Sequence, residues 1–187
     1  MAIRMSRKTW LILVIVIIAI LALVGIALNC NSSSPSEALN FTLPTLTGAN
    51  VTLSELEGTP AVLNFWATWC GYCVVELPYF EAVAQESEGE IKVIAIDVGQ
   101  SASTVQTFLQ NLFGKNETTM IIALDTNGEV FVNYCQNYDN ARGYIPFTLF
   151  VDSEGLVQYV RIGAFANETE LRDTLHTVFN VTLPQTS

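Results

Sequence analysis

A β-prone apolar run, Ala61 to Ala67, is broken only by Asn64 and passes directly into Thr68-Trp69-Cys70-Gly71-Tyr72-Cys73, after which a helical pattern begins. Few arrangements constrain a chain so much. A run of this kind reads as a strand covered on both faces. The helix that follows places Cys70 at its first turn, where unpaired backbone N–H groups and the positive end of the helix dipole favour thiolate over thiol. Cys70 is therefore expected to be the more acidic and more nucleophilic cysteine. Cys73 lies one turn further on, on the same helix face and within reach of a disulfide. The pair is expected to be a redox device.

Two alternatives use the same residues. Paired cysteines form half of many zinc sites, but the chain has no second C-x-x-C, and its one histidine, His176, lies far along the sequence. A purely structural disulfide closing so short a loop stabilises little by loop entropy. Neither a metal nor another cofactor is expected.

The residues Phe65-Trp66-Ala67-Thr68-Trp69-Cys70-Gly71-Tyr72-Cys73 resemble the active-site signature of thioredoxin-fold proteins. Together with Leu63-Asn64 before them and Val74-Val75-Glu76-Leu77-Pro78 after them, they are similar to the membrane-anchored TlpA/ResA-type thiol-disulfide oxidoreductases of the redoxin, AhpC/TSA-like superfamily. The resemblance runs from about Leu39 to Phe179. It implies a thioredoxin fold, a three-layer α/β/α sandwich with a mixed central sheet, preceded by an N-terminal β-hairpin.

Trp10 to Leu28 carries no charged side chain, and at 1.5 Å per residue it spans about 28 Å as a helix, close to the hydrocarbon thickness of a bilayer. Arg4, Arg7 and Lys8 precede it, which points to a cytoplasmic N-terminus at residues 1–9, a single-pass anchor at 10–28, a linker at 29–37 and an extracytoplasmic domain at 38–187. A cleaved signal peptide or a lipoprotein anchored at Cys30 are the competing readings. Every one of the 18 acidic residues follows the apolar stretch, whereas three of the 8 basic residues precede it. So acidic a domain has no electrostatic footprint for nucleic acid or anionic lipid. Six Asn-x-Ser/Thr triplets, beginning at Asn31, Asn40, Asn50, Asn116, Asn167 and Asn180, are compatible with glycosylation outside the cell and equally with an Asn- and Thr-rich composition.

Along the domain, Phe41–Leu43 and Asn50–Leu53 flank a Gly48-Ala49 turn and predict a hairpin, with Ser54 capping a one-turn helix that ends at Gly58. The pattern then predicts a helix over Gly71–Glu86, kinked at Pro78, and a buried strand over Ile91–Asp97. It continues with a helix over Ser101–Phe113, a strand over Met120–Leu124 and a short helix over Gly128–Tyr134. Pro146–Asp152 and Leu156–Ile162 predict an antiparallel hairpin around Ser153-Glu154-Gly155. A last helix, Glu168–Phe179, is capped by Asn167 with Glu170 completing a capping box.

The resemblance adds a supporting cast. It implies a cis Pro146 packed against the cysteines, with the backbone of Ile145 offered to a substrate chain as a short β-pairing. Phe147 stands where the family usually has threonine, which touches the shape of that groove. Asn64 stands where thioredoxins bury an aspartate; an amide cannot relay a proton. Cys70, Cys73 and Glu76 are spaced i, i+3, i+6 along one helix face, and the family gives a glutamate at this spacing an acid–base role toward the inner thiol. Trp66 and Trp69 are expected to wall the site, Trp69 the more exposed and in contact with substrate. Cys135 is expected to be a buried small hydrophobe, and His176 to lie on the surface.

The function expected is a protein-disulfide reductase acting on exported proteins, apocytochrome c being the client the resemblance implies most often, with a membrane or extracytoplasmic electron donor. A disulfide donor or isomerase is the same chemistry run the other way. A copper-carrying thioredoxin-like chaperone fits less well, because its C-x-x-x-C spacing is one longer. The surroundings of Cys70 do not resemble a peroxidatic loop.

Overall fold

The computed structural model describes residues 36–114 and 117–184, together with Val16. The anchor expected over Trp10–Leu28 (Val16 aside), Cys30 and Asn116 lie outside the described residues. Among those that are described, no helix is long and apolar enough to cross a membrane.

Over residues 36–184, among the described residues, eight strands and four α-helices follow one another as β1 (Ser36–Glu37), β2 (Thr42–Pro44), β3 (Asn50–Thr52), β4 (Ala61–Trp66), α1 (Gly71–Glu86), β5 (Lys92–Val98), α2 (Ala102–Phe113), β6 (Ile121–Asp125), α3 (Glu129–Asn137), β7 (Phe147–Val151), β8 (Leu156–Ile162) and α4 (Glu168–Phe179). Six strands form one sheet in the order β1-β8-β7-β4-β5-β6, and β2 and β3 form a separate hairpin. β4, β5 and β6 are parallel, whereas β7 and β8 are antiparallel to their neighbours. The sheet is therefore mixed, as expected for a thioredoxin-like fold.

The apolar run marks a buried strand, as expected. Every residue of β4 is buried, because it is flanked on both edges and covered on both faces. On one face Val62 and Trp66 pack with Leu77, Phe80 and Val83 of α1, Val105 and Leu109 of α2, and Leu171 and Leu175 of α4. On the other, Leu63 and Phe65 pack with Tyr134 and Cys135 of α3 and with Phe41, Leu43 and Val51 of the hairpin. The alternation follows directly from the two-residue period of a strand. α1 runs unbroken through Pro78, whose ring lies on the exposed side, where water can satisfy the carbonyl its missing N–H leaves free.

Several expectations are corrected. Ser36 and Glu37, assigned to the linker, pair with Val157 and Leu156 as an edge strand. Ser54 caps nothing: it lies inside a 3-10 helix, Leu53–Leu56, and its N–H donates to Asn40 Oδ1 at 3.0 Å. α3 extends beyond Tyr134 to Asn137. Asn167 does cap α4, accepting from the Glu170 N–H at 2.9 Å, but the Glu170 carboxylate reaches past the cap to the Ala166 N–H at 2.6 Å. It is drawn there by Arg161, which donates to its other oxygen.

Candidate active site

β4 ends at Trp66 and α1 starts at Gly71, so the chain reverses over Ala67–Cys70 at the carboxyl end of the central strand. Cys70 is the N-cap of α1: its backbone is extended and its Sγ accepts from the Cys73 N–H at 3.2 Å. A disulfide joins Cys70 to Cys73, with Cα atoms 5.3 Å apart. Cys70 retains 7% of its accessible surface and Cys73 none, so only Cys70 can be reached from outside.

Two side chains clamp the loops that frame it. Gln100 accepts from the Thr68 N–H and donates to Thr68 Oγ1, both at 2.8 Å, tying the cysteine loop to the end of β5. The buried Asn140 donates to the Tyr144 carbonyl at 2.8 Å and accepts from its N–H at 2.9 Å. That fixes the loop ahead of Ile145-Pro146, whose peptide bond is cis. The Ile145 carbonyl lies 3.7 Å from Cys70 Sγ. Neither clamp was found in the sequence; a polar side chain facing a loop backbone has no periodicity to betray it.

Trp69 is 71% exposed, and Tyr72, Val75 and Tyr144 are also exposed, giving the rim an apolar character. Trp66 departs from the expectation. It is wholly buried, packs against Phe108 and supports the site from beneath instead of walling it. Phe147 is turned to the opposite face of the sheet, against Phe65 and Phe131, so its side chain is no part of the groove beside Ile145.

Glu76 lies on the buried stripe of α1, one turn past Cys73, and has no solvent exposure. Its Oε1 accepts from Asn64 Nδ2 and its Oε2 from the Phe165 N–H, each at 2.9 Å. Asn64 also donates to Thr148 Oγ1 at 2.9 Å. Burial pushes the Glu76 carboxyl up to about 7, against the opposing pull of these hydrogen bonds and of Arg161. Asn64 thus holds the carboxyl group that lies beneath the cysteines. The lone polar residue of the Ala61–Ala67 run was a signal that something polar must meet it there.

Another buried carboxyl next to the site was missed. Asp97, paired in register with Trp66 at the end of β5, is wholly buried, and burial pushes it up to about 7 as well. Cys135 is buried, which raises its thiol to about 11 and leaves it inert as a nucleophile. His176 is exposed on α4. Among the described residues no cluster of His, Cys, Asp or Glu is arranged to hold a metal ion.

The chain is similar to known proteins. The model of the AhpC/TSA family matches residues 35–160. Thiol-disulfide oxidoreductase ResA of Bacillus subtilis (strain 168) is 31% identical over 147 residues, covering 78% of this chain and 76% of its own. Among solved structures, MTB dsbF, determined in mixed oxidised and reduced forms, is 28% identical with a TM-score of 0.62, over 74% of this chain and 94% of that one. A thioredoxin-family thiol:disulfide interchange protein from Chlorobium tepidum TLS superposes with a TM-score of 0.67 at 20% identity, over 79% of this chain and 99% of its own. The last similarity speaks to the fold alone.

Proposed function

Since the chain belongs to the AhpC/TSA family and is a thioredoxin-like thiol-disulfide oxidoreductase of the ResA type, we propose that it reduces disulfides in exported proteins. The observation that carries this reading is the asymmetry of the pair: Cys70 is an N-cap at the surface, and Cys73 is sealed beside a buried carboxyl. The Cys70 thiolate attacks one sulfur of a client disulfide, forming a mixed disulfide and releasing a client thiolate. Glu76, as carboxylate, takes the proton of Cys73 directly or through one water. The Cys73 thiolate then attacks Cys70 Sγ, which expels the second client thiolate and closes the Cys70–Cys73 disulfide. Two electrons pass to the client. Trp69 contacts the incoming chain, and the Ile145 backbone beside Pro146 pairs with it.

The uncharged run Trp10–Leu28 and its basic flank support a membrane anchor with this domain on the extracytoplasmic side. An apocytochrome c whose C-x-x-C-H thiols must be free for haem attachment is a client of suitable chemistry. The electron donor is then a membrane or extracytoplasmic dithiol. Replacing Cys73 by Ser tests the assignment. The variant should accumulate reducible covalent adducts with client proteins, and Cys70→Ser should accumulate none; equal trapping by both would reverse it. The potential of the Cys70–Cys73 couple separates reductant from donor: a value near thioredoxin's, about −270 mV, supports reduction, and one near about −120 mV supports disulfide donation.

A further inference from the structure

Glu76 is not held by its own helix alone. Beneath it, Asn64 of β4 stands in register with Thr148 of β7, and Thr148 stands in register with Arg161 of β8. Register partners project from the same face of a sheet, so these three side chains form a polar row across three strands, under α1 and α4. At one end of the row Asn64 donates to both Glu76 and Thr148. At the other, the Arg161 guanidinium donates to the Ala164 carbonyl at 2.8 Å and lies 4.8 Å from the centroid of the Phe165 ring. Phe165 is the residue whose N–H donates to Glu76. Arg161 therefore grips, from both sides, the short loop that supplies one of the two hydrogen bonds to the carboxylate. Its remaining contacts run outward, to Glu170 at 2.7 Å, at a partly exposed position, and to the Tyr159 hydroxyl on its own strand.

We propose that Arg161 is the positioning residue that sets the proton affinity of Glu76, with Glu170 as its adjustable counter-charge at the surface. Two physical effects act in the same direction. The cation favours the carboxylate through Coulomb attraction in a partly desolvated setting. Its hold on Ala164 and Phe165 keeps the Phe165 N–H aimed at Oε2, and a donor aimed at an ionised oxygen favours the ionised form. The other charged or titratable groups on the surrounding elements are Cys73 on α1, Asp97 on the same face of β5, and Tyr159 on β8; the Arg172–Glu86 pair lies further along α1 and α4. Of all these, only Arg161 and its partner Glu170 are tied by contacts to the loop that binds Glu76, Arg161 through the Ala164 carbonyl and the Phe165 ring and Glu170 through the Ala166 N–H. The consequence is a site whose resolving step can be tuned from the surface without any change at the cysteines.

This inference rests on the reading of Glu76 as proton acceptor for Cys73, and the experiment separates the two. The carboxyl stretch of Glu76 would be titrated by infrared difference spectroscopy on the oxidised full-length protein, with Glu76→Gln identifying the band. The rate of disulfide exchange would be followed over the same pH range. Arg161→Met, which keeps an apolar stem of similar reach, should raise the midpoint of the band by about 0.5 to 1 pH unit. The pH of half-maximal exchange should rise with it. Arg161→Lys keeps the charge and should return at least half of the shift. Should Arg161→Met not fold, Glu170→Gln serves instead: it removes the counter-charge and should move the midpoint down. An unchanged midpoint in folded Arg161→Met, or in Glu170→Gln, overturns the inference. A shifted band alongside an exchange rate that Glu76→Gln leaves untouched would uphold it and remove the proton-acceptor role instead.

Discussion

Glu76 holds its proton to a pH at which most carboxyl groups have lost theirs, because no solvent reaches it and two neutral donors only partly replace water. Its folded value of about 7 lies above the ordinary 4.5. Its contribution to stability is therefore complete below about pH 4.5 and is lost as pH rises through about 7, an effect of at most about 3 kcal/mol. Asp97 acts with the same sign, from 3.8 up to about 7. Chemical denaturation of the oxidised protein should show stability falling across this window, with Glu76→Gln and Asp97→Asn each flattening the fall. A fall undiminished in both variants would show that neither carboxyl is held as its burial implies. In the functional assay the sign reverses, since the carboxylate is the form that accepts a proton. Exchange should accelerate as pH rises through about 7 in the parent protein, and Glu76→Gln should remove that inflection.

At the scale of elements, the site is held by loops that single side chains pin. Asn140 satisfies both backbone groups of Tyr144 from a buried position. Asn140→Ala leaves those groups unpaired and should cost about 1 to 3 kcal/mol. Because that loop leads into Ile145-Pro146, client exchange should slow more than the reaction with a small dithiol. Equal slowing of both would place the effect on the cysteines instead of on client binding. Asn167→Ala offers a contrast: it removes the α4 cap, costing about 1 kcal/mol, at a position away from the Cys70 rim. Thermal melting should register it, while binding of client at the Cys70 rim stays the same.

At the scale of the molecule, residues 35–187 form a compact unit by themselves. A chain starting at Pro35 should therefore melt cooperatively and form the Cys70–Cys73 disulfide. The full chain should fractionate with membranes and the shortened one should not; membrane retention of the shortened chain would move the anchor out of Trp10–Leu28.

What the sequence by itself determined is the part of the protein governed by short-range physics. The β4 run, the helix opening at Gly71, the α2 pattern and the closing hairpin all follow from periodicity and turn residues, which act over a few positions. The cysteine pair is likewise local, since its spacing on a helix start brings its two sulfurs together. The tertiary structure alone decided that Glu76 is a sealed carboxyl and not a solvated one. It alone brought Asn64, Thr148 and Arg161 into one row, turned Phe147 away from the groove and buried Asp97 beside Trp66. Those outcomes depend on strand register and on contacts between residues up to 89 positions apart in sequence. Proton affinity depends on what surrounds a group in space, and in this chain those surroundings come from four different strands and a loop.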